Sequence, residues 1–272
     1  MKKIVLPFFA ALILGGLLHA QTLDEVLALN RPARGGPEKR RPVSGWKMTG
    51  TFDAVAQGIE MPLTLWRQHP DKMRVETVFQ EQVIVQAFDG KKAWWLRPLL
   101  FAAAQEMPAE QAAAFAEQSR FEEPLAAGRE KGQTLELLGR EELDGVPVFH
   151  LQRIGVDGRE VDYFLDAGSG VVLKSARRVK TGESEALVEI LYGDYRPVAG
   201  RRMPFVIENR VDGRTKARLT FSSIEADPDI PGGFFAMSAG SKAFDTEPPE
   251  SHEKPRKPKK PRKPKKNKAK FK

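Results

Sequence analysis

Four Asp-Gly pairs, at Asp89-Gly90, Asp144-Gly145, Asp157-Gly158 and Asp212-Gly213, separate short runs in which apolar and polar residues alternate. Asp-Gly supplies the positive-φ positions of a type I′ turn, so each pair between alternating runs predicts a tight antiparallel hairpin. The series extends from about Val43 to Glu225, and each run carries a period of two, the mark of a strand with one buried face. A chain punctuated this way has little room for crossover helices. It is expected to form an antiparallel meander.

The first group of runs is Val43–Asp53, Glu60–Gln68, Asp71–Gln80, Gln82–Phe88 and Lys92–Leu96. The second is Thr134–Leu138, Val146–Ile154, Glu160–Leu165, Val171–Val179, Leu187–Tyr195, Met203–Val211 and Thr215–Ile224, with further turns at Ala167-Gly168-Ser169-Gly170, Thr181-Gly182 and Ala199-Gly200. Between the groups, from Pro98 to Phe121, the period changes to that of a helix. Leu99, Leu100 and Phe101 open an apolar turn, Met107-Pro108 restarts at a good first position for proline, and Ala112, Phe115 and Ala116 form a stripe. A helix pair is expected there, closing one end of the sheet or covering its concave face. Upstream, Thr22 with Glu25 three residues on and Leu23, Val26 and Leu27 on one face predict a capped helix over Thr22–Leu29.

The termini set the compartment. Lys2 and Lys3, an apolar run from Ile4 to Leu18 and a small residue at Ala20 have the three parts of a secretory signal, with cleavage expected near Ala20. The chain has no cysteine, so an exported domain must rely on its own core. The formal charge of +8 is a property of the ends: residues 254–272 hold 12 Lys/Arg and the signal two more, leaving 30 basic against 36 acidic residues in the body. The Lys/Pro tail, with proline every third residue, can form no core. Behind an export signal its available polyanions are lipopolysaccharide phosphates and anionic lipid headgroups rather than nucleic acid. The organisation expected is a signal (1–20), an N-terminal helix and Pro/Gly/Arg linker (21–42), a sheet domain (43–240) and a basic tail (241–272).

Catalytic and metal chemistry find little to work with. Outside the signal the histidines are His69, His150 and His252, far apart in sequence and without ligand spacing. Carboxylates such as Glu76, Asp162 and Glu189 fall at positions of solvated strand faces, and neither a phosphate loop nor a nucleophile elbow is present. The reading is therefore not an enzyme, with neither cofactor nor metal. Trp46, Trp66, Trp94, Trp95, Met48 and Met73 crowd the first strand group. Packing is one use for them; lining a cavity for acyl chains is the other. The candidate lining is Trp46, Met48, Leu65, Met73, Val75 and Trp95, with Leu99, Phe101 and Phe115 as the cover.

Three stretches carry a resemblance. Pro70-Asp71-Lys72-Met73-Arg74-Val75-Glu76 opens a strand and leads to the hairpin Phe88-Asp89-Gly90-Lys91-Lys92-Ala93-Trp94-Trp95; the others are Tyr163–Lys174 and Gly193–Phe205. In this order they resemble the LolA-like superfamily, which includes the periplasmic lipoprotein carriers and the outer-membrane lipoprotein-sorting family, over about Val43 to Ile224. The resemblance implies a mainly β fold with some α: an open antiparallel half-barrel whose concave apolar face is covered by helices. It further implies a periplasmic carrier for lipoproteins or lipid-like ligands. The carriers latch their cover with an arginine near the start of the sheet; this chain departs from that pattern, with Lys47 on the first strand and Arg67 and Arg74 on later ones. The alternative is an envelope sensor or adaptor that binds lipid and a membrane protein partner, its basic tail docking on anionic surfaces.

Overall fold

The computed structural model describes residues 21–35, 43–101, 103–120, 125, 132–181 and 184–237. The expected export signal, residues 36–42 of the linker and the basic tail lie outside the described residues.

Thirteen strands form one antiparallel sheet. In chain order they are β1 (Gly45–Ala54), β2 (Ile59–Gln68), β3 (Lys72–Phe79), β4 (Gln82–Phe88), β5 (Ala93–Leu96), β6 (Gln105–Glu106), β7 (Thr134–Leu143), β8 (Val146–Ile154), β9 (Glu160–Asp166), β10 (Val172–Thr181), β11 (Ser184–Val198), β12 (Arg201–Val211) and β13 (Arg214–Ala226). Their spatial order is β6-β5-β4-β3-β2-β1-β13-β12-β11-β10-β9-β8-β7. The sheet is thus two meanders joined where β1 pairs with β13. β6 and β7, consecutive in the chain, stand at opposite edges, so the segment between them must cross the sheet.

Two of the four Asp-Gly pairs adopt the expected turn. Asp144 and Gly145 both have positive φ (50° and 82°), as do Asp212 and Gly213 (50° and 72°). At Asp89-Gly90 only the glycine does, and the Asp89 carboxylate instead accepts from the Lys91 and Lys92 amides at 2.8 and 2.7 Å. Asp157-Gly158 behaves likewise, with Asp157 accepting from the Arg159 amide at 3.1 Å.

Curvature comes from irregularities in the ladder. The register shifts at Thr49/Gly50, Leu137/Gly139, Val172/Lys174 and Asn209/Arg210. Each bulge bends its strand and increases its twist. At the seam the strands approach so closely that a Cβ on Gly50 would lie 2.0 Å from the Thr220 carbonyl oxygen.

Cross-strand partners share a face, so the register sorts the sheet into two sides. Trp46, Met48 and Phe52 of β1 pair with Arg67, Leu65 and Met61 of β2; Arg67 and Leu65 pair in turn with Met73 and Val75 of β3. Carried round to β8, the same face presents Phe221, Ile207, Tyr192, Tyr163 and Leu151. This is the concave side, and two helices cover it.

Helix α1 (Leu23–Ala33) has the expected capping box, with the Thr22 amide donating to Glu25 at 2.7 Å and the Glu25 amide to Thr22 Oγ1 at 3.3 Å. It runs four residues beyond Leu29, through Pro32, because Asn30 and Ala33 are buried against the sheet. Val26 packs with Leu135, Phe149, Leu151, Tyr163 and Leu165. In place of the expected helix pair there is one helix, α2 (Ala109–Ser119): Pro98–Leu100 is a turn, and Gln105–Glu106 joins the sheet as its edge. The segment Leu99–Phe101 closes a single turn on the Arg97 carbonyl and is too short to propagate as a helix.

The convex side has a smaller apolar layer. Residues after β13 fold back so that Phe234 and Phe235 pack on Trp66, while Trp94 Nε1 donates to the Phe235 carbonyl at 2.8 Å. Beneath them Arg74 and Glu76 form a buried ion pair at 2.6 Å, each 3% exposed. Glu76 is therefore not the solvated strand carboxylate that its position in the sequence indicated; burial pushes its carboxyl up, against the pull of Arg74.

Candidate functional site

A cleft of about 560 Å³ opens on the concave side at the far ends of β1 to β4. Phe52, Met61, Val75, Thr77, Ile84 and Gln86 form its floor, and the turn after β5 supplies Arg97, Leu99 and Leu100. The floor follows from the strand period: Phe52 pairs with Met61, Thr77 with Ile84 and Val75 with Gln86, so one contiguous patch of the pleat faces the opening. Its size is that of ordinary small-molecule pockets.

The turn is held by the Arg97 carbonyl, which accepts from the Leu100 and Phe101 amides, both at 2.9 Å. The Arg97 guanidinium lies over the Trp95 ring, 3.6 Å from its centroid. The tip stays open to solvent, with Leu99, Leu100 and Phe101 49%, 66% and 40% exposed. Three consecutive large apolar residues at that exposure are unusual for a packed turn.

Helix α2 forms the remainder of the cover. Its entry is fixed to the sheet by the Met107 amide donating to the Ala93 carbonyl at 2.9 Å. Phe115 and Met107 pack on Met73, Phe88, Ala93 and Trp95. At its other end Arg67 Nη2 donates to the Gln118 carbonyl, satisfying one of the carbonyls that a helix C-terminus leaves unpaired and placing a cation at the negative end of its dipole. Burial lowers the pKa of Arg67, as expected for a guanidinium on an apolar face.

The last turn of α2 also reaches the second meander. Glu117 accepts from Arg159 at 3.0 Å and from Arg177 of β10 at 3.3 Å. β2 and β10 are five strand spacings apart in the sheet, about 24 Å if it were flat. The curl of the sheet brings both to one helix end, so α2 ties the two meanders together across the concavity. Beside this contact, burial raises the phenols of Tyr192 and Tyr163, the latter to about 12, and Tyr192 Oη lies 3.4 Å from Ser175 Oγ.

The nominated residues divide into three sets. Val75 and Leu99 line the cleft. Trp46 and Met48 are packed with Leu63, Phe205 and Phe221 at the seam, and Met73 and Trp95 are packed beneath α2 against its Phe115, with Leu65 touching both clusters. All six strand residues lie on the concave face. Phe101 is at the exposed tip and does not line the cleft. Trp66 and Trp94 belong to the convex layer instead, because consecutive residues in a strand point to opposite sides. Sequence reasoning missed Phe52, Met61 and Ile84, which the same alternation could have supplied, and Arg97, which it could not; Arg67 was named there but given no place on the cover.

Polar chemistry is sparse. His150 contacts Glu141 at 2.7 Å and Asp162 at 3.1 Å and stacks on Phe164, an arrangement of the convex side away from the cleft. Among the described residues no group of His, Cys, Asp and Glu is placed to hold a metal ion.

No family profile and no curated protein sequence matches the chain. Solved structures do. A LolA superfamily protein from Nitrosomonas europaea superposes with a TM-score of 0.52 at 14% identity, over 79% of this chain and 98% of its own. A domain assigned to outer-membrane lipoprotein sorting from Vibrio parahaemolyticus gives 0.55 at 13% identity, over 77% and 95%. A DUF1329 family protein from Desulfovibrio piger gives 0.53 at 9%, over 78% and 94%. At such identities the likeness is one of fold. The chain has the LolA-like fold.

Proposed function

We propose that this protein is a periplasmic carrier that holds the acyl chains of a lipoprotein or a lipid-like ligand between its concave face and the α2 cover. The observation that carries the reading is the open apolar cleft on an otherwise packed face, roofed by a turn whose leucines remain exposed. Acyl burial contributes roughly 0.8 kcal/mol per methylene, so a chain seated along Phe52, Met61, Val75 and Ile84 reaches micromolar affinity or better in a preformed site. Arg67 and the Glu117 ion pairs give the cover polar attachments to break, while Phe115 and Met107 give it an apolar one to exchange for ligand. No step of bond chemistry is needed.

The test is a titration of delipidated protein with a fluorescent acyl probe. Saturable binding is expected, weakened about tenfold or more by Val75→Asp, which puts a charge on the apolar cleft floor. Absence of saturable binding, or an unchanged affinity in a folded Val75→Asp protein, contradicts the proposal.

A further inference from the structure

The cleft is apolar on its floor and charged at one point. Among the residues that line it, Arg97 alone is charged, and the floor carries two neutral polar groups, Thr77 and Gln86. Gln86 is the cross-strand partner of Trp95, the ring on which the Arg97 guanidinium rests, so Arg97 and the Gln86 amide stand at the same end of the patch. Met61 and Phe52, on β2 and β1, lie farther across the sheet from them.

We infer that this end of the cleft is a headgroup subsite, and that the preferred ligand is an anionic amphiphile whose carboxylate or phosphate is held by Arg97. The inference rests on the carrier reading and sharpens it from acyl chains in general to acyl chains bearing an anion. Three features of the cleft support it. The arginine is preoriented, its backbone heading a hydrogen-bonded turn and its side chain lying on a ring that α2 buries. A guanidinium stacked on a ring keeps the N–H donors of its planar fork, which match a carboxylate or phosphate two at a time. Finally, apolar walls strengthen any charge pair formed there, and a neutral ligand that covered Arg97 would leave the cation desolvated without a counter-charge.

The test is calorimetric titration of the delipidated chain with palmitate, palmitoyl lysophosphatidate and monopalmitoylglycerol, in the wild type, Arg97→Gln and Arg97→Lys. The wild type is expected to bind at least one of the two anions about tenfold or more tighter than the glyceride, the size of a charge-assisted hydrogen bond. A preference for palmitate alone identifies a carboxylate ligand, and one for lysophosphatidate alone a phosphate; either supports the subsite. Arg97→Gln should abolish the preference while leaving the glyceride within about twofold, and Arg97→Lys should keep part of it. High salt should shrink the wild-type preference, a readout that does not depend on any variant folding. Equal binding of all three ligands by the wild type overturns the inference but leaves the carrier reading standing. Equal weakening of all three by Arg97→Gln assigns Arg97 to packing and also overturns it. If no ligand binds, both fall.

Discussion

Glu208 on the convex face accepts from Arg210 Nε at 2.6 Å, Thr215 Oγ1 at 2.8 Å and Arg218 Nη2 at 2.6 Å. Burial acts to raise its carboxyl, but these donors outweigh it and hold the group at about 2, against an ordinary 4.5. A folded-state pKa below the unfolded one gives stability that is complete above the unfolded value and is lost as pH falls toward the folded one. Unfolding free energy should therefore decline between about pH 4.5 and 2, and Glu208→Gln should flatten that decline while costing stability at neutral pH. Urea titrations across this range measure it; an unaltered slope in the variant would refute the assignment. Gly170 is a second sensitive residue. Its φ is 71°, a Cβ there would meet the Leu29 carbonyl oxygen at 2.5 Å, and its own carbonyl accepts from Asn30 at 2.6 Å. Gly170→Ala combines left-handed strain with a backbone clash, so a loss of about 2 kcal/mol or more is expected in thermal unfolding, with α1 exchanging amide hydrogen faster.

Among the elements, α2 decides the account. It is attached apolar side down by Phe115 and Met107, and by Arg67 and Glu117 at its C-terminal end. Arg67→Met keeps the length and apolar contact of the side chain while removing the hydrogen bond to Gln118. Faster hydrogen exchange confined to 109–119, with acyl-probe association accelerated, is the expected outcome; exchange unchanged in α2 would remove Arg67 from the latch. What was legible at this scale was local chemistry. The Thr22/Glu25 box announced α1, alternation set β4 and β8 to the residue, and Asp144-Gly145 and Asp212-Gly213 announced their hairpins. The turn Gln80-Glu81 was not announced, because both residues take positive φ (50° and 61°) without glycine or asparagine. The tightness of the β3–β4 hairpin imposes that conformation against local preference.

At the scale of the molecule, the sheet is held by one long-range pairing. β1 and β13 are separated by nearly the whole body of the chain, yet their ladder runs from Trp46–Ala226 to Asp53–Arg218. Alternation indicated an antiparallel meander and the resemblance implied a covered, concave one, and the solved structures similar to this chain share that fold. They did not indicate the seam, nor which of several buried faces stays open, since those depend on register across the molecule. For the same reason the nominated residues fall mainly in the packed parts of the concave face, while the cleft is lined by their neighbours two or four residues along. The central claim is that this opening exists to be filled. Native mass spectrometry of the chain from Gln21 onward, expressed with export and purified without detergent, tests it most directly. The account predicts a bound species of lipid mass, recovered by organic extraction as an acyl-containing molecule and depleted in Val75→Asp. A protein that flies only at its polypeptide mass and yields no extractable lipid would contradict it.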